Sequence, residues 1–197
     1  MMDMKLEDTN VSRIENLLRN VAQPAVKVKF DQEIDPRMLQ QTLNRQKLKV
    51  LEPLRKKNII FGKQWNLLFP IPNQGNACST TFDLSLMICL LRNITSIPIT
   101  DELPFYSNKS EGADLSRLKY YRNMISHWPN IGPKLTNEKF ETYWTDISQA
   151  IVRLGGAHFQ SKCLSLKVGG SSVSFPTGVK RLHEELIAEW RKEKSMS

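Results

Sequence analysis

Leu115-Ser116-Arg117-Leu118-Lys119-Tyr120-Tyr121-Arg122-Asn123-Met124-Ile125-Ser126-His127 is the stretch on which the fold turns. Leu115, Leu118, Tyr121, Ile125 and Trp128 recur at spacings of three and four, which predicts a helix with one apolar stripe. Glu111 and Asp114 stand in its first turn, where the positive end of a helix dipole favours acids. Pro129 closes it, because the residue before a proline resists the α conformation. At about 100° per residue, Arg122 falls at the edge of the stripe, and Asn123 and His127 share the opposite face. One helix is thus expected to pack inward while presenting Arg, Asn and His at its C-terminal end.

Arg122-Asn123, three residues and then His127 resembles the R-x4-6-H signature of HEPN domains. Four ordered motifs sharpen the resemblance. Gln64 through Pro70 is one, and Phe82-Asp83-Leu84 running into Leu90 through Ile94 is another. Ala113 through Asn123 and Phe140 through Gly156 complete the set. Together they are similar to the HEPN domain of DAZ-interacting zinc-finger RNA-binding ubiquitin ligases, over residues 10 to 166. The resemblance implies an all-α bundle, RNA as partner and pairing with a second copy of the chain. In catalytic HEPN proteins two Arg/His pairs meet across a dimer interface. The resemblance therefore implies Arg122, Asn123 and His127 as catalytic candidates for metal-independent RNA cleavage. Many HEPN domains keep the fold without cleaving RNA, so a non-catalytic binding module or a protein-interaction scaffold stands beside the nuclease.

These residue types suit the chemistry. Imidazole moves protons near neutrality, and guanidinium holds a charged phosphate through two of its oxygens. On an ideal helix residues five apart point roughly 140° away from each other, so Arg122 and His127 converge only at a frayed end or with a partner's help. In the structural alternative Arg122 bonds a carboxylate such as Asp83 while His127 caps the helix.

The rest of the chain sets limits. Its 197 residues suit one domain with a substantial core. A net charge of +8 and a pI near 9.5 fit either a polyanion such as RNA or simple solubility. Three cysteines without C-x-x-C spacing indicate neither zinc nor a disulfide framework, and Cys89 is expected to be a buried thiol. No signal-type segment opens the chain and no apolar stretch nears ~20 residues. A cytoplasmic protein without membrane contact, metal or cofactor is expected.

In chain order, Val11 to Val21 reads as a short helix capped by Thr9 or Asn10 and stopped by Pro24. Ala25 to Phe30 alternates in strand fashion and reads as an extended connector. Asp35-Pro36 opens a helix with Met38, Leu39 and Leu43 inside, continued by Leu48, Leu51 and Leu54, with a kink or restart at Pro53. This region is the most basic: Arg45, Lys47, Lys49, Arg55, Lys56, Lys57 and Lys63 form either a solvated face or a surface for RNA phosphates. Arg92 and Lys119 join the RNA-binding candidates, although Arg92 equally suits a pair with Asp83 or Asp114. Trp65 reads as a core anchor. Ser79-Thr80 is expected to cap a helix apolar nearly all round, Phe82 to Ile94, which with the Asp114–His127 helix is expected to be central. Phe140 to Leu154 is amphipathic and ends at Gly155-Gly156, with one short helix after it. His158 and His183 read as surface or core-edge residues. The organisation expected is a helical domain over 1–168, a Gly/Ser linker over 169–178 and a charged amphipathic helix over 179–197, which could bind a protein partner.

Overall fold

The computed structural model describes residues 2–71, 75–129 and 134–168, with backbone alone for 2–8 and 168. The expected linker, the C-terminal helix and His183 lie outside the described residues. Those residues are all-α, with no strand among them. They form two compact units: residues up to Ala25 with those from Ile99 onward, and Val26–Pro98 between them.

In the first unit α1 (Met2–Leu17), α7 (Glu111–Ser126), α8 (Asn137–Gly155) and α9 (Phe159–Val168) pack together. α7 and α8 share the largest interface. Ser110 and Thr136 cap α7 and α8, each side-chain oxygen accepting the backbone N–H three residues on. The stripe of α7 is buried at Leu115, Leu118, Tyr121 and Ile125; Trp128 lies beyond the helix and is half-buried. α8 buries Phe140, Tyr143, Trp144, Ile147, Ile151 and Leu154, as its periodicity predicts. Gly155 allows a close approach, since a Cβ there would stand 2.7 Å from that of Ala25 and 2.6 Å from the Phe159 ring. α1 begins well before the expected cap. Asn10 is instead fully buried, and its amide donates to the Leu135 carbonyl at 3.0 Å and to Asn137 Oδ1 at 3.0 Å.

α1 does not stop at Pro24. It passes through a π-helical turn (Leu18–Ala22) into α2 (Gln23–Glu33). Gln23 N–H reaches back five residues to the Leu18 carbonyl. The wider turn lets the helix accept a residue that lacks an N–H and crowds the preceding turn. The expected connector at Ala25–Phe30 is therefore helix. Ala22, Val26 and Phe30 lie four apart and are all buried. The alternation came from Lys27 and Lys29, which pair one turn on with Asp31 and Glu33.

The second unit repeats the device. α3 (Leu39–Gln46) runs through a second π-helical turn (Lys47–Leu51) into α4 (Glu52–Lys56). Glu52 N–H bonds the Lys47 carbonyl five residues back, directly before Pro53. The extra residue turns the stripe, so Leu39, Leu43 and Leu51 are buried while Leu48 is 71% exposed. Met38, expected inside, is also exposed. Asp35-Pro36 forms a turn ahead of α3, with Asp35 accepting the Arg37 N–H at 2.9 Å. α5 (Gly62–Leu68) buries Trp65 and Leu68. Asp83, not Ser79-Thr80, caps α6 (Leu84–Ile94), accepting the Leu86 N–H at 2.7 Å. α6 buries six of its apolar side chains, but Cys89 is half-buried and Cys163 is the buried thiol. α6 and α7, expected to be central to one bundle, belong to different units.

Candidate functional site

α7 carries charge at both ends. In its first half Arg117 is 0% exposed, with Asp114 and Asp146 buried beside it. Arg117 Nη1 donates to Asp114 Oδ1 at 3.1 Å, Nη2 to the Phe105 carbonyl at 2.6 Å, and Nε stands 3.2 Å from Asp146 Oδ1. Arg153 of α8 grips the same Asp114 with Nε and Nη2, both at 2.7 Å. Tyr121 closes the network, its hydroxyl donating to Asp146 Oδ2 at 3.0 Å. Burial, and then the Asp146 carboxylate, push the Tyr121 hydroxyl well above its ordinary pKa. Burial, with the Arg153 and Arg117 guanidiniums nearby, pulls the Lys109 ammonium below its ordinary value.

One face of the last turns of α7 is open. Arg122, Asn123 and His127 are all exposed. Arg122 Nη1 donates to Asn123 Oδ1 at 3.0 Å, so guanidinium and carboxamide form one polar pair. Ser126 Oγ donates to the Arg122 carbonyl at 2.7 Å and steadies the last turn. His127 is the C-cap: its N–H still bonds the Asn123 carbonyl at 3.2 Å, while its own φ of −104° and ψ of 9° have left the helix. His127 has therefore begun to leave helical geometry while its N–H still holds it to the last turn of α7.

The chain's fit to a family model becomes clear against this geometry. The model of DZIP3/hRUL138-like HEPN domains matches residues 36–171, well over half of the chain. The chain belongs to the DZIP3/hRUL138-like HEPN family. No curated protein and no solved structure matches it significantly. The HEPN match begins at Pro36, so α1 and α2 lie ahead of it, whereas the Arg122-Asn123-x3-His127 motif lies within it.

The remaining candidates scatter over the HEPN domain. Arg45, Lys49, Arg55, Lys56 and Lys57 are exposed and Lys47 half-buried, all in the second unit. Arg55 lies over the Trp65 ring at 4.7 Å, and Lys47 over the Phe69 ring at 4.7 Å. Arg92 is exposed on the last turn of α6. Asp114, one partner considered for it, is taken by Arg117 and Arg153. Lys119 is bound by Asp101. His158 is exposed beside Phe159. Among the described residues no group of three or more His, Cys, Asp or Glu could hold a metal ion.

The buried network escaped the sequence reading. Asp114 and Arg117 are one helical turn apart, and Asp146 sits within the apolar stripe of α8 next to Ile147. A carboxylate at an inward position was the available signal, and a cation facing it from another helix its implied partner.

Proposed function

We propose that this HEPN domain binds RNA and pairs with a second copy of itself, with Arg122, Asn123 and His127 facing a phosphodiester. The observation that supports this reading is the joint exposure of these three side chains where α7 ends. Their chemistry matches cleavage by 2′-hydroxyl attack. One imidazole takes the 2′-OH proton, the 2′-oxygen bonds phosphorus, and a second imidazole protonates the departing 5′-oxygen. The guanidiniums offset charge on the pentacoordinate phosphorane. One chain offers one Arg and one His here, so a two-fold pair of chains supplies the second set. Arg45, Lys47, Lys49, Arg55, Lys56, Lys57 and Arg92, all in the second unit, are further candidates for phosphate contacts. Among the described residues no helix is long and apolar enough to cross a membrane. The free thiols suit the cytoplasm, where we place the protein.

The test uses the purified chain and a labelled single-stranded RNA with a chelator present. Cleavage is expected to fall about a hundredfold or more in His127→Ala and Arg122→Ala, the usual contribution of a proton-transfer group. Equal cleavage by wild type and His127→Ala refutes the assigned role. Retained RNA binding without cleavage by any variant leaves a binding and dimerising module. Loss of all RNA binding favours the scaffold.

A further inference from the structure

The turn joining α4 to α5 carries a second kind of surface. Arg55, Lys56 and Lys57 end α4 and are exposed. Asn58 then takes a left-handed φ of 55° and reverses the chain, its N–H bonding the Arg55 carbonyl at 3.0 Å. Ile59 N–H bonds the Leu54 carbonyl at 2.9 Å, so the turn is a built one. Ile60 is buried and anchors it, while its neighbours Ile59 and Phe61 stand 49% and 63% exposed.

The Phe61 backbone is fixed from below. Its N–H donates to Gln64 Oε1 at 3.1 Å. Gln64 Nε2 in turn donates to the Asp83 carboxylate at 3.0 and 3.3 Å. Asp83 is itself held as the cap of α6. Beside the ring, a Cβ added to Gly62 would meet nothing within 4 Å, so the approach is open. An aromatic ring left largely in water keeps a flat apolar face free for a ligand. The surroundings say which. From Arg45 to Lys63 seven Lys and Arg stand against one acid, Glu52, and cations flank the exposed apolar tips on both sides, Arg55 to Lys57 before Ile59 and Phe61 and Lys63 after them. A protein partner would call for a continuous apolar area. A polyanion with flat, apolar faces fits an exposed ring set between flanking cations.

We propose that this turn binds single-stranded RNA, an unpaired base stacking on Phe61 while neighbouring phosphates lie against Arg55, Lys56, Lys57 and Lys63. The element rests on the RNA reading above and names the form of RNA that it takes. Duplex RNA keeps its base faces stacked inside and offers Phe61 nothing.

The test is fluorescence anisotropy of the full chain with a labelled oligouridylate of about twelve nucleotides, within the usual site sizes, and with an RNA hairpin. Phe61→Leu is expected to weaken binding of the single strand about tenfold at an unchanged salt slope, in line with one lost stacking contact. Phe61→Tyr keeps the affinity within about twofold, since it keeps the ring face. Lys56→Ala with Lys57→Ala lowers the salt slope by about 1.4, the share of two phosphates on a single strand. The hairpin binds more weakly and ignores Phe61→Leu. Wild-type affinity in Phe61→Leu, with RNA binding still reduced by Arg122→Ala, overturns this inference and spares the function proposed above. No RNA binding by the wild type overturns both. Weaker binding of Phe61→Leu to phosphatidylserine vesicles, with RNA affinity unchanged, assigns the turn to an anionic bilayer instead.

Discussion

Arg117 and Arg122 lie five residues apart on one helix and meet opposite environments. Arg117 is fully buried and held by Asp114, Asp146 and the Phe105 carbonyl. Arg122 is exposed and touches the carboxamide of its neighbour Asn123. Five steps of about 100° turn a side chain roughly 140°, which is enough to carry one arginine into the α7–α8 interface and the other out of it. Desolvating a guanidinium is costly, so the buried one needs carboxylates on both sides. The exposed one keeps its water and with it the freedom to bind something else. The Arg117 side of α7 is therefore committed to holding the bundle, while the Arg122 side of its last turns faces solvent.

The sharpest way to break this contrast is Arg117→Ala. It leaves Asp146 and Asp114 short of a buried counter-charge and is expected to cost about 3–5 kcal/mol of stability in urea unfolding. A cost below about 1 kcal/mol, the size of an exposed pair, would mean that the network is hydrated in solution. Tyr121→Phe probes the same network more gently. Losing the hydroxyl that donates to Asp146 should cost about 1–3 kcal/mol near neutral pH. Burial raises the folded pKa of Tyr121 above the unfolded value of about 10, so its contribution is complete below that pH. It is lost as pH climbs through the folded value, because the unfolded chain releases the proton first. The wild type should therefore lose more stability than Tyr121→Phe in thermal melts above about pH 10. Equal losses would place the hydroxyl in contact with water. The smallest effect belongs to Arg122→Ala, which should change stability by no more than about 0.5 kcal/mol. A larger loss would make Arg122 a second structural arginine and remove it from the candidate site.

Local patterns that matched their own periodicity were legible. The stripe of α8 came through residue by residue and that of α7 at every residue but Trp128, and the ordered motifs pointed to the family that the match over residues 36–171 establishes. Helical phase placed Asn123 and His127 off the apolar stripe and Arg122 at its edge, and all three are exposed. The misreadings cluster at two prolines. Pro24 and Pro53 looked like stops or restarts, and each instead follows a five-residue π-helical turn that lets the helix continue. The inserted residue shifts phase, which is why Leu48 faces water and Ala25–Phe30 is helical. The alternation of Lys27 and Lys29 hid a helix because both lysines pair along it, one turn on, with acids. The capping residue of α6 was missed by a few positions, since Ser79-Thr80 and Asp83 are all competent caps and only the path of the chain chooses.

The sequence by itself determined an all-α chain of the HEPN family and placed an arginine, an asparagine and a histidine where one helix runs out. Helical phase and capping are local, so a linear pattern carries them. Tertiary structure alone decided that Asp114, Arg117 and Asp146 share one buried network, gripped from its edge by Arg153, and that Val26–Pro98 forms its own unit. Burying a charge depends on which distant carboxylate meets it. That meeting is set by the packing of α7 on α8, which no single stretch of the chain contains.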